Sequence, residues 1–174
     1  MGDVFKEQIV KRKPTPQDTA VKICLWLLVV MIGFVAFVNF RYFGMLIVFG
    51  VAFGVRFLTS YLNIEYEYIF TNGELDIDII YDQARRKRVF SADVKQFEIM
   101  AHIDDKNHES AFGSAQETRD YSSGVPGSDT YVFLTDHEGK KIKVIIEPNE
   151  KMLKAFSGAL TRRNLHLRPG VVLL

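Results

Sequence analysis

The sequence predicts an α+β protein: an N-terminal transmembrane helical hairpin, then an antiparallel β-barrel or sandwich domain with a C-terminal helix. Three observations carry this prediction. Val21 to Leu62 is almost continuous hydrocarbon, broken near its middle by Asn39-Phe40-Arg41. Residues 64–147 run in short stretches of alternating apolar and polar character, separated by turn signals. After Pro148 the apolar period lengthens to that of an amphipathic helix.

The apolar stretch is too long for one membrane span and suits two. Its first run, Val21 to Val38, carries only Lys22, at its start; its second, Tyr42 to Leu62, carries only Arg56, near its far end. About 20 apolar residues rising about 1.5 Å each cross a hydrocarbon core of roughly 30 Å. In lipid only a helix satisfies its own backbone over such a segment. Thr15 caps the first helix, Pro16 suits its first position and Asp18 stands three residues beyond the cap. Asn39 and Arg41 mark a tight turn on the opposite side. Arg56, Tyr61 and Asn63 mark the return, with Arg56 long enough to snorkel to the headgroups.

Orientation follows from counting cations near the spans. Lys6, Lys11, Arg12, Lys13 and Lys22 precede the first span, against Arg41 in the turn, so the positive-inside bias places both termini in the cytoplasm. A cleaved signal peptide would start earlier, run shorter and lack a second span at once behind it. The resulting organisation is a cytoplasmic N-terminal tail over residues 1–19, a transmembrane hairpin over 20–62 and a cytoplasmic domain over 63–174. Phe5 to Lys13 mixes apolar and basic residues but is short for an interfacial helix, so it reads as a flexible basic tail. Gly50 and Gly54 form a GxxxG pattern that lets helix backbones approach closely. It suits contact between the two helices of this chain, near Gly33 and Ala36, or self-association.

The net charge of +1 hides a split: residues 1–63 carry +4 and residues 64–174 carry −3. A nucleic-acid-binding domain is normally basic, so that class is disfavoured. The single cysteine, Cys24, lies in the first membrane run, which leaves no disulfide framework within the chain.

In the soluble part, Ile64, Tyr66, Tyr68 and Phe70 share one face of a strand. Asn72-Gly73 is a hairpin turn, and Leu75, Ile77 and Ile79 then alternate with Asp76 and Asp78. Arg88–Ala92 reads as a third strand and Lys95–His102 as a fourth, with Phe97 and Ile99 inward. Residues 103–129 lose the period and read as a long polar loop with room for one short strand near Phe112; residues 121–128 have the composition of disorder. A second hairpin joins Asp129–Thr135 to Lys140–Glu147. Asn149 caps a helix whose apolar face is Met152, Leu153, Phe156, Ala159 and Leu160, with Arg162, Arg163 and Asn164 at its end. The apolar tail Val171–Leu174 suits an added edge strand, packing on the domain, or contact with lipid or a partner.

Tyr68-Ile69-Phe70-Thr71-Asn72-Gly73-Glu74-Leu75, the basic run that follows and Val94–Ile99 together resemble the bacterial pleckstrin-homology-like membrane proteins. The likeness spans roughly residues 20–100. In that family a pair of transmembrane helices commonly precedes a domain opening with a Tyr-x-x-Thr turn and a second strand. Two positions depart from it: Tyr81-Asp82-Gln83 stands where a glycine often follows the second strand, and Ser91-Ala92-Asp93 where a proline usually precedes the fourth. The whole chain is also similar to small two-helix membrane proteins of clostridial-type bacteria, a likeness that implies no activity. Eukaryotic pleckstrin-homology domains take inositol phosphates through the loop between their first two strands. Here that loop is Thr71-Asn72-Gly73, without a basic residue, so this type of recognition is not implied.

Arg85, Arg86, Lys87 and Arg88 are the densest charge cluster. They suit either a solvated hairpin tip or contact with anionic headgroups, worth about 1 kcal/mol per basic residue near such a surface. His102, His108, His137 and His166 lack ligand spacing, and no phosphate-binding glycine loop, nucleophile elbow or HExxH occurs. No metal, cofactor or catalytic residue is expected. Glu65, Glu67, Asp76 and Asp78 fall on the solvent face of the first hairpin. The sequence thus predicts a membrane-tethered, non-enzymatic interaction module whose partners are membrane lipid and a protein or its own copies. The alternatives are a lipid or small-ligand sensor with a pocket lined by Tyr66, Tyr68 and Phe97, and, least favoured, an enzyme drawing on His102, Asp104 and His108.

Overall fold

The computed structural model describes residues 4–125, 127, 129–160 and 165–166. Two compact units make up the chain. A helical unit comprises Pro14–Ile64 with Tyr81–Ala84, and a sheet unit comprises Met1–Lys13, Glu65–Ile80 and Arg85–Leu174.

The helical unit holds α1 (Pro16–Phe40) and α2 (Tyr42–Ser60). The expected capping box forms: the Thr15 hydroxyl accepts from the Asp18 amide at 3.1 Å, and the Asp18 carboxylate accepts from the Thr15 amide at 2.9 Å. A single residue, Arg41, turns the chain between the helices with φ of 46°. Both helices are long and apolar enough to cross a membrane. Their apolar side chains face outward, with Met31, Phe34 and Phe37 each 71% exposed, which a helix in a soluble core does not do.

Small residues set the approach of α1 to α2, though not the pair singled out from the sequence. A Cβ on Gly44 would lie 2.6 Å from the Ala36 carbonyl oxygen, and one on Gly33 would lie 3.1 Å from Val48. At Gly50 and Gly54 a Cβ would meet open space. The GxxxG pair therefore makes no close contact between helices of one chain. At the end of α2, Arg56 donates to Asp82 at 2.8 Å, Asn63 donates to Asp82 at 2.8 Å, and Lys22 donates to Asn63 at 2.9 Å. Arg56 is thus committed to a carboxylate. Asp82 and Gln83 both hold positive φ, 50° and 57°, a strained pairing for residues with side chains that this polar clasp helps to impose.

The sheet unit contains two sheets. The first, in order β1-β2-β3-β4, is built from β1 (Phe5–Lys11), β2 (Ile64–Thr71), β3 (Glu74–Tyr81) and β4 (Arg85–Asp93). Its leading member is a correction. Residues 5–11, read as part of a flexible tail, form a strand antiparallel to β2, from Phe5 opposite Thr71 to Lys11 opposite Glu65. The reason is visible in the side chains. Val10 is buried, and the Gln8 amide donates to the Glu147 carbonyl at 2.7 Å and accepts from the Asn149 amide at 2.7 Å. The β2–β3 turn is as expected, with Asn72 and Gly73 both at positive φ. The third strand starts at Arg85, three residues before the sequence suggested.

The second sheet, in order β6-β8-β7-β5-β9, is built from β5 (Ile99–His102), β6 (Glu117–Asp120), β7 (Tyr131–His137), β8 (Lys140–Ile146) and β9 (Leu165–His166). It is not wholly antiparallel, since β6 runs parallel to β8 and β9 parallel to β5. The two sheets stay separate, so the architecture is sandwich-like and not a closed barrel. β5 begins late because Asp93 accepts from the Lys95 amide at 2.9 Å and caps a 3-10 turn over Val94–Gln96. Phe97 follows buried, Ile99 packs partly buried on the cluster that holds Ala101, and Met100 is buried on the opposite face of β5.

The expected polar loop is largely built. A 3-10 turn over Lys106–His108 leads into α3 (Glu109–Phe112), which seats Phe112 against Ala101, Val132 and Leu134, and β6 follows. The closing helix α4 (Glu150–Ala159) starts where Asn149 accepts from the Met152 amide at 2.9 Å, and it buries Met152, Leu153 and Phe156. The expected basic end of this helix (Arg162, Arg163, Asn164) and the apolar tail Val171–Leu174 lie outside the described residues.

A fragment starting at Ile64 lacks β1 and with it the burial of Val10 and the Gln8 bonds. A chain joining residues 1–13 directly to residue 63 by a short turn should exceed that fragment in urea-unfolding free energy by about 2 kcal/mol or more, the scale of burying one aliphatic side chain. In detergent, Gly44→Ala should lower the melting temperature measured by circular dichroism, because the new methyl meets backbone. Gly50→Ala and Gly54→Ala should leave the monomer's value unchanged.

Candidate functional site

Strand alternation decides what the first sheet shows to water. With Tyr66, Tyr68 and Phe70 turned into the core, Glu65, Glu67 and Ile69 of β2 face outward, and the register places Phe5, Glu7, Ile9 and Lys11 of β1 beside them. On β3, Asp76 and Asp78 alternate with the buried Leu75 and Ile77 and share this outer face.

The basic run meets these carboxylates. Arg86 pairs with Glu67 at 2.8 Å, Arg88 pairs with Asp76 at 2.9 Å and Asp78 at 3.2 Å, and Lys11 pairs with Glu65 at 3.2 Å. Acidic inner strands are thus flanked by cations on both outer strands. The four residues Arg85–Arg88 are not a solvated hairpin tip. They open the edge strand β4, and two of them spend part of their charge within the sheet. The side chains of Arg86 and Arg88 remain 55% exposed, and Lys87 is exposed without an ion pair among the described residues.

The carboxylates are held unequally. Glu67 is fully buried: its Oε1 accepts from Arg86, while Oε2 is sealed from solvent without a well-formed hydrogen bond. Burial pushes its pKa up, the neighbouring Glu7 carboxyl adds to the rise, and Arg86 opposes it. Arg88 is pushed up in turn by its hydrogen bond to Asp78. A signal for this pattern existed in the sequence, in the acids at 65, 67, 76 and 78 and the bases at 86 and 88, two apart on neighbouring strands.

The proposed ligand pocket is filled by its own lining. Phe97 stacks on Phe133 with centroids 4.0 Å apart, and Tyr66 meets Tyr121 edge-on at 5.6 Å. The Tyr68 hydroxyl donates to the Tyr121 carbonyl at 2.6 Å and accepts from the Glu147 amide at 3.2 Å. Burial raises its pKa and keeps it a donor. Nor do the candidate catalytic residues act as one set. His102 is buried edge-on to Tyr131 and accepts from the Asp104 amide through Nδ1 at 3.2 Å, while the Asp104 side chain is 86% exposed. His108 bonds Asp105 at 3.0 Å and stacks on His166 at 4.1 Å. The bond to His108 lowers the Asp105 pKa. Among the described residues no group of three or more His, Cys, Asp or Glu is arranged to hold a metal.

Tyr68→Phe removes one donor and one acceptor from a sealed site and strands the Tyr121 carbonyl and the Glu147 amide. Denaturant titration should register a loss of roughly 1–3 kcal/mol with the fold retained.

Comparison with curated proteins and with solved structures returns no match. A family match does cover nearly the whole sequence, including β1, both apolar helices and all of the first sheet. The chain belongs to the Bacterial PH-like domain family (DUF6106), which it matches over residues 2–165.

Proposed function

We propose that this chain is a membrane-tethered, non-enzymatic interaction module, with its PH-like domain on the cytoplasmic side of a bacterial cytoplasmic membrane and both termini on that side. The observation that carries the reading is the pairing of β1 with β2. One strand precedes the two apolar helices and the other follows them, yet they are hydrogen-bonded neighbours in one sheet. Paired strands share one aqueous compartment, so the intervening segment must cross the bilayer an even number of times. Two outward-facing apolar helices supply that number. The cation bias before α1 selects the cytoplasm.

Within this reading the Arg85–Arg88 strand contacts anionic headgroups, through Lys87 and the exposed parts of its neighbours. The partner is a protein or a second copy of the chain, which the open helix face at Gly50 and Gly54 would suit. Sensing of a small ligand in the core is the weaker reading, because Tyr66, Tyr68 and Phe97 are packed on other side chains. PH-like domains generally act as non-catalytic interaction modules.

Full-length chain in nanodiscs carrying a photoreactive anionic lipid should label at residues 85–88. With a zwitterionic photoreactive lipid the yield should fall about tenfold, since each basic contact is worth about 1 kcal/mol. The variant Lys87→Glu should lose labelling in the same direction while keeping its melting temperature. Equal labelling with both lipids would remove the headgroup role.

A further inference from the structure

The outer face of the first sheet places more acids than bases around one buried group. Facing Glu67 are Glu7 and Lys11 from β1, Glu65 from its own strand, Asp76 and Asp78 from β3, and Arg86 and Arg88 from β4. Lys11 is paired with Glu65, Arg88 is shared by Asp76 and Asp78, and Arg86 meets Glu67 through Oε1. The register seats Glu67 opposite Ile9, so Glu7 lies on its diagonal, one strand away on the same face. Two carboxylates on a cross-strand diagonal repel when both are ionised and attract when they hold one proton between them. Glu67 is 0% exposed, and its Oε2, sealed from water, lacks a well-formed hydrogen bond. A buried carboxylate oxygen in that state is the natural seat for the proton.

We propose that Glu7 and Glu67 form a proton-sharing pair that closes β1 onto β2, so that the N-terminal strand is held at acidic pH and released as pH rises. The sign follows from the folded state. Burial and Glu7 lift the Glu67 pKa above its unfolded value, so the stability this pair contributes is complete when Glu67 is protonated and is lost as pH climbs through the raised value. The rest of the sheet unit is spared. Its other outer-face pairs join unlike charges, and α4 is held by the Asn149 cap and an apolar face. Release would open the β2 edge, the Gln8 contacts at the start of α4 and the Lys13 amide bond to the Ser123 carbonyl at 2.8 Å.

The test is hydrogen–deuterium exchange on the full-length chain in zwitterionic nanodiscs, corrected for the intrinsic pH dependence of amide exchange. Protection of residues 5–11 should fall severalfold between about pH 4, near the ordinary glutamate value, and about pH 8, while β7, β8 and α4 hold theirs. Glu7→Gln and Glu67→Gln, which each replace a carboxylate by a neutral hydrogen-bonding group, should keep β1 protected across that range. The idea is overturned by a flat wild-type profile, by protection that is lost toward acid, or by a Glu7→Gln profile that tracks the wild type. If Glu67→Gln fails to fold, the exposed Glu7→Gln substitution decides the matter alone.

Discussion

The pairing of β1 with β2 is the constraint on which the rest of the structure depends. In chain order these strands are separated by both apolar helices, yet in space they form an antiparallel ladder from Phe5–Thr71 to Lys11–Glu65. The helices are therefore an insertion into the loop of a β-hairpin, and not a leader joined to a finished domain. The edge of the sheet, the burial of Val10 and the Gln8 bridge to Glu147 and Asn149 all rest on a segment of the chain that the helices separate from everything else in the sheet.

The outer face shows how a charged sheet surface stays in register. A carboxylate on a central strand loses hydration when its neighbours cover it, and it keeps its charge only where a cation meets it. Arg88 does this for two aspartates, whereas Arg86 reaches only one oxygen of Glu67. The density of cations in β4 thus has an internal cause. The Lys11–Glu65 pair, with its cation exposed, is worth less than about 1 kcal/mol, so its value lies in matching strands more than in stability.

The helices, the Thr15 capping box, the Asn72-Gly73 turn, the second hairpin and the Asn149-capped helix were legible because each has a local code: hydrocarbon length, a capping spacing, a turn dipeptide or an amphipathic period. What was not legible depended on distant partners. Residues 5–11 alternate too poorly to announce a strand, and only Thr71 to Glu65 make them one. Residues 103–120 are organised by side chains bonding nearby backbone, as Asp105 does to the Asn107 amide at 3.0 Å, and such caps leave no period. At the candidate site the basic run was visible, whereas its pairing with acids on two other strands required the register. Gly50 and Gly54 matched a motif, but helix contact within the chain runs through Gly33 and Gly44, whose flanking sequence carries no such pattern.

An insertion of this kind also imposes an order on biogenesis. Residues 5–11 leave the ribosome before residues 64–71 and cannot form their ladder until these follow, so an earlier strand waits on a later one. Closing so long a loop in solution carries an entropic cost that grows with its length. Here the turn at Arg41 brings the far end of α2 back to the start of α1, where Lys22 donates to Asn63 at 2.9 Å, and so shortens the gap that the two strand segments must close. Completion of the sheet is thereby made conditional on the helical hairpin: a chain whose two strand segments fail to meet keeps an unfilled β2 edge, a state open to aggregation.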